Sequence, residues 1–346
     1  MGTMVYNVNN SATQVLAAKQ IKENIFVDLL HRDGKGVTDH YETNVSTLRI
    51  LKATPHSGNA RQLSAGTNGG WFDSTAPDFQ NIVEYDLNLL YIYDRVTDIP
   101  EVQEDLVPVS VFDATNKNIA GRVATEINAS TLANQLADRL NAADTGNAWN
   151  DVAVVIGTGD KAAYDAVMDA STQLDNGDEA NGIQSFPFEQ RELIMRPEFR
   201  RALMSQTGVI LGGSNFAQSM VAKGSLSPED MKTFGNMYCG EVDLVPCYIC
   251  PAPIWNRAAA WLGSTGTTAI AGVQALMVAA SATDRGISTM DYVKVVDSPD
   301  GAGKRLQPKV RWGVNVAYGA GIVPIVANGT AVPSAQLTVT APGSRA

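Results

Sequence analysis

Between Thr115 and Ala142 the apolar residues Ile119, Val123, Ile127, Leu132, Leu136 and Leu140 step by four, four, five, four and four. That spacing is the 3.6-residue period of a helix carrying one apolar stripe. The predicted helix is longer than the globular average of about 11–12 residues. Asp144-Thr-Gly146 follows it, with Gly146 placed to cap its end. Such a stripe has to be covered along its length, so the rest of the chain is constrained to supply the cover.

Upstream, Ala12–Leu30 has a helical rhythm in Val15, Ile21, Ile25 and Leu29, with Lys19 and Lys22 on the polar side. Two strand-like segments follow, Asn44–Ala53 and Asn81–Asp94, the second containing Ile82, Val83, Tyr85, Leu87, Leu89, Tyr91 and Tyr93. Between them Thr54–Gln80 is rich in Gly, Ser, Asn and Thr. Loops beyond about 12–15 residues are uncommon in compact domains unless functional or disordered. Flanking strands make this one a hairpin projecting from the body. Arg61, Leu63, Trp71 and Phe72 are its candidate contacts with another subunit. The two rings would be costly to leave in water.

Downstream, residues 150–290 read as an α/β lobe. Val152–Ile156 is a strand and Asp160–Ala170 a helix. Arg191–Met195 is a strand, and Pro197 opens a helix over Glu198–Ser205. Ser227-Pro-Glu-Asp230 is a helix start, and Glu241–Ile249 is a single strand. Thr267–Ala282 fits helix or strand. The pattern then returns to strands at Tyr292–Val296 and Gln336–Thr340. Between them Lys309–Val326 alternates at period two and reads as one long bent strand, with Gly313, Gly319 and Gly321 as its bends.

Chemistry is sparse. Cys239, Cys247 and Cys250 offer three zinc ligands, but all three histidines (His31, His40, His56) lie in the first 60 residues, so buried reduced thiols are the reading. Asp144-Thr-Gly146 matches an aspartic-protease tripeptide without the second carboxylate that chemistry needs. Gly157-Thr-Gly159 lacks the remaining glycines or the lysine of a phosphate loop. Asp175–Gly182 misses calcium-loop spacing. No Gly-x-Ser-x-Gly elbow is present. No catalytic, cofactor or metal residues are assigned. A net charge of −10 argues against a dedicated nucleic-acid binder. The N-terminus lacks the pattern of an export signal, and no apolar run reaches membrane-spanning length.

The order of these elements resembles the HK97-type fold of tailed-bacteriophage major capsid proteins. Glu192-Leu-Ile-Met-Arg-Pro-Glu-Phe-Arg-Arg-Ala-Leu203 is similar to the strand and proline-led helix of that family's axial domain. Trp312-Gly-Val-Asn-Val-Ala-Tyr-Gly-Ala-Gly-Ile-Val323 is similar to its late strand. The resemblance implies an α+β chain: an N-terminal arm over 1–44 and an extended β-hairpin loop over 45–94. A peripheral domain with its spine helix covers 95–149, an axial α/β domain 150–289, and closing peripheral strands with a tail 290–346. It implies a non-enzymatic subunit forming pentamers and hexamers of an icosahedral shell around double-stranded DNA, without sequence-specific binding. Assembly would take place in the host bacterial cytoplasm. The long helix begins near residue 116, so a separate scaffolding protein is implied, with a portal and a possible decoration protein. The alternatives are an encapsulin-like compartment shell, another virion component, or a soluble α/β enzyme with its site in the 150–290 lobe.

Overall fold

The computed structural model describes residues 11–31, 33–43, 45–53, 82–100, 108–142, 152–160, 162–178, 183, 185–210, 237–289, 293–297, 303–330 and 336–342. The expected helix is present and longer than its stripe: α2 runs Pro108–Ala142, 35 residues. It follows α1 (Ser11–Val27), whose Ile21 and Ile25 are buried against it. Asn128 of α2 ties off the end of α1. Its amide donates to the Asp28 carbonyl at 2.9 Å and its oxygen accepts from the Leu30 amide at 2.8 Å. The first satisfies a carbonyl at the helix end, where intrahelical partners run out, and the second holds the chain that leaves it.

The described residues form four sheets, and α2 packs against strands of three of them. A four-stranded sheet has the order β1 (Thr38–Thr43), β11 (Thr283–Thr289), β14 (Val310–Val316), β4 (Tyr91–Tyr93). A six-stranded sheet has the order β6 (Val154–Val155), β15 (Ile322–Val326), β10 (Val273–Ala279), β7 (Arg191–Met195), β9 (Val245–Ile249), β8 (Tyr238–Val242). Three strands, β12 (Lys294–Asp297), β13 (Gly303–Gln307) and β5 (Thr97–Pro100), form a third. The hairpin β2 (Thr47–Ala53) and β3 (Ile82–Asn88) is the fourth.

The six-stranded sheet is buried on both faces, so its strands read as continuous apolar runs rather than alternations. Along β10, Leu276 and Val278 face the core containing α2, while Ala275 and Met277 face α3 (Ala162–Asp175) and α4 (Pro197–Ile210). The thiols of Cys239 and Cys247 lie in that second core. α5 (Ala252–Trp261) packs against α2, and α6 (Gly263–Ala271) leads into β10.

Five sequence expectations need correction. Glu241–Ile249 is not one strand but most of the hairpin β8–β9, which turns at Asp243 and Leu244 with φ of 49° and 63°. Neither residue is a glycine, so the usual signal of a turn with positive φ at both central positions is missing. Asn81–Asp94 is two strands in different sheets, β3 and β4, broken at Leu89 and Leu90. Lys309–Val326 is likewise two strands in two sheets, joined by one turn of 3-10 helix at Gly319–Gly321. Gln336–Thr340 joins no sheet; it is held by Asn141, which exchanges hydrogen bonds with the Leu337 backbone, and by the Trp261 carbonyl, which accepts from Thr340. Val152–Ile156 shrinks to the two residues of β6. The undecided Thr267–Ala282 segment is both helix and strand, changing at Gly272. Ser227–Asp230, Gly146 and the hairpin tip lie outside the described residues.

Candidate assembly surfaces

The root of the hairpin is the first surface. β2 and β3 pair antiparallel from Thr47↔Asn88 to Ala53↔Ile82. Leu48, Ile50, Leu87 and Leu89 make a small core of their own at this root. It rests on two glycines that are cross-strand partners, Gly286 of β11 and Gly313 of β14. Paired residues point to the same face of a sheet, so the absent side chains leave one bare patch. A Cβ on Gly286 would lie 2.7 Å from Leu89 Cδ2 and 2.8 Å from Leu48 Cδ1. A Cβ on Gly313 would overlap the Asn88 carbonyl oxygen. The expected bend at Gly313 is therefore absent. The β11–β14 register runs unbroken through it, and its bareness serves as a seat for the hairpin. Gly286 carried no sequence signal of its own; only its pairing with Gly313 gives it meaning.

Gly319 and Gly321 do sit where the chain turns. Both also mark close approaches: a Cβ on Gly319 would overlap the Asp138 carboxylate on α2, and one on Gly321 would lie 2.7 Å from Ala282 Cβ and against the Phe186 ring. Burial raises the pKa of Asp138, with Arg139 pulling the other way.

The second surface is a strap, residues 31–43, fastened by charge. The Arg285 guanidinium, fully buried, forms two bonds with Asp39: Nε to Oδ1 at 2.6 Å and Nη2 to Oδ2 at 2.8 Å. Burial works to lower the pKa of Arg285, but Asp39 outweighs it and the net direction is up. The Tyr41 hydroxyl donates to Asp39 at 2.6 Å, and burial with that carboxylate raises its pKa. His31 Nδ1 pairs with Glu192 Oε1, both side chains fully buried. Gly36 crosses directly over Glu192, where a Cβ would overlap the carboxylate. Nearby, Asp284 takes the Tyr85 hydroxyl and lies 3.4 Å from His40 Nε2. Sequence reading missed this cluster because its members are scattered over some 250 positions. The charged groups at its centre are sealed from solvent, so the arrangement fastens β1 to β11 and β7.

Cys239, Cys247 and Cys250 are buried free thiols. Burial raises the pKa of Cys247 and Cys250, which disfavours the thiolate that binds metal or attacks. Arg61, Leu63, Trp71 and Phe72 lie outside the described residues. Among the described residues no helix is long and apolar enough to cross a membrane.

No protein-family model matches the sequence, nor does any curated protein. Solved structures do match. The head structure of Helicobacter pylori bacteriophage KHP40 aligns over 95% of both chains with a TM-score of 0.52 at 11% identity. Microbacterium phage Oxtober96 aligns over 87% of this chain and 94% of its own, with a TM-score of 0.49 at 12% identity. A virus-like particle from Pyrococcus furiosus aligns over 90% and 97%, with a TM-score of 0.44 at 9% identity. The chain adopts the HK97-type capsid fold of tailed-phage heads.

Proposed function

We propose that the chain is a structural subunit that tiles an icosahedral shell around double-stranded DNA. The observation that carries this reading is the match to a phage head structure over 95% of both chains. The geometry supports it: the root of a hairpin is set on a glycine seat formed by two strands of the body. A tile gains its stability by summing contacts, each standard interface burying about 1,600 Å². Pentamers and hexamers, a separate scaffolding protein, a portal and a decoration protein complete the proposal. The acidic balance, −10 overall, suits a wall that encloses DNA without gripping it.

The role is structural rather than catalytic. Among the described residues, the strap cluster brings titratable groups together, and its centre is sealed and internally paired. The test is electron microscopy of the purified full chain, alone and with the scaffolding partner from the same source. Closed shells of uniform size are expected. A stable monomer under all conditions overturns the reading.

A further inference from the structure

Gly121 is hard to account for within one subunit. It lies inside α2, where glycine costs roughly 0.5–1 kcal/mol relative to alanine. A Cβ there would meet nothing within 4 Å. Nothing among the described residues needs the bare backbone, so the fold tolerates the cost without an internal reason.

The space beside Gly121 is a cleft of about 670 Å³ between α2, β4 and α5. Its wall is a cluster of Tyr91, Trp261 and Trp312, with Tyr91 edge-on to Trp261 at 4.7 Å between centroids. The polar ends of this wall are satisfied: Trp312 Nε1 donates to Ser130 Oγ at 2.7 Å and Trp261 Nε1 to Glu126 Oε2 at 3.1 Å. Arg257 Nη2 pairs with Glu126 at 2.6 Å. The rim differs. Arg95, Lys117 and Arg122 are exposed and make no ion pair with any described residue. Four cations thus surround one carboxylate, in a chain of net charge −10.

One side of the cleft is lined by β4. β4 ends its sheet and pairs only with β14 among the described residues. Ile92, 46% exposed, lines the cleft, and Leu90 and Val96, 78% and 44% exposed, flank β4 in the chain. An unpaired edge with apolar neighbours accepts an added strand, and the cations select its charge.

We propose that this cleft receives an extended, acidic segment of a second copy of the chain. The segment lies along β4, its backbone passing over Gly121 and its carboxylates meeting Arg95, Lys117 and Arg122. Charge complementarity names the occupant: outside this rim the chain is strongly acidic, so a second copy presents what the cleft takes. The inference rests on the shell reading.

Two full-length variants test it, Gly121→Trp, which fills the notch, and the double change Lys117→Glu with Arg122→Glu, which reverses the rim. Sedimentation and electron microscopy measure association at low and high salt, and circular dichroism measures melting. Wild-type assembly is expected to weaken with salt. Each variant is expected to melt like wild type and to need at least about tenfold more protein to associate. Wild-type particles from both variants overturn the cleft assignment while leaving the shell reading intact. A wild type that never associates overturns both. A fluorescent DNA duplex that binds wild type but not the reversed rim, with assembly unchanged, assigns the cleft to nucleic acid and also overturns the proposal.

Discussion

The strap and the hairpin root meet the same strand, β11, within three residues of each other, yet they are held by opposite means. The strap is locked by buried charge: Arg285 on Asp39, and Glu192 on His31. The hairpin root is held mainly by shape, with the Leu48, Leu87 and Leu89 side chains resting where Gly286 has none and the Asn88 backbone lying against Gly313. Its polar ties include Tyr85 to Asp284 and Asn315, and the Val45 amide to Ser288 Oγ. A buried ion pair tolerates only one position, because displacement leaves a desolvated charge. A glycine seat tolerates small tilts, since apolar contact is non-directional. The lock fixes the first element to the body, and the seat carries the element proposed to reach a neighbour.

The largest effect is expected at the lock. Arg285→Ala leaves Asp39 buried without its partner and should cost about 3–5 kcal/mol in chemical denaturation. Glu192→Ala removes the carboxylate that Gly36 crosses, relieving that tight approach, so its cost should be smaller. Equal losses for the two would mean that the strap is held by packing rather than by Arg285.

The seat should yield less. Gly313→Val drives a side chain into the Asn88 carbonyl. Overpacking of this kind costs about 1–3 kcal/mol. Its signature is local: hydrogen exchange should accelerate in 47–53 and 82–88 while α2 stays protected. Uniform loss of protection would contradict the idea of a separable seat. Farther out, Trp71→Ala should weaken assembly and leave melting nearly unchanged, and deleting Gly58–Gly70 should leave a folded subunit that builds no regular shell. Particle counts by electron microscopy check both.

The two regions also differed in how visible they were in sequence. α2 was legible because Ile119 through Leu140 keep one period, and the hairpin because apolar runs flank a long polar stretch. Local pattern carries such features. Asn116, Asn128 and Gln135 are buried in α2 without a local signal, because their partners Gln20, Leu30 and Thr283 are distant in the chain, whereas Ser130 and Thr131 donate to the Ile127 carbonyl one turn back. The strap cluster was hidden for the same reason: its charges are far apart in the chain and ordinary in type. The Lys309–Val326 segment was misread because alternation persists through a change of sheet, and period two says nothing about which sheet a strand joins. The seat needed register, since Gly313 reads as a bend until Gly286 is placed opposite it.

Gly319 combines both devices and gives the finest test of the comparison. Its bare Cα faces the Asp138 carboxylate, so shape and charge meet at one point. Burial raises the pKa of Asp138 above its ordinary 3.8. The folded state therefore holds this proton to higher pH than the unfolded chain. Stability contributed by the protonated form is present at low pH and is lost as pH rises from 3.8 through the raised value. Asp138→Asn should remove that slope and slightly raise melting near neutral pH. Gly319→Ala should lower melting through steric overlap alone, because alanine changes no charge. If the contact is one of shape, Asp138→Asn will not rescue Gly319→Ala, since asparagine fills the same space, whereas Asp138→Ala will. Rescue by asparagine would instead make the carboxylate's charge the operative feature, and this glycine would then belong with the strap rather than with the seat.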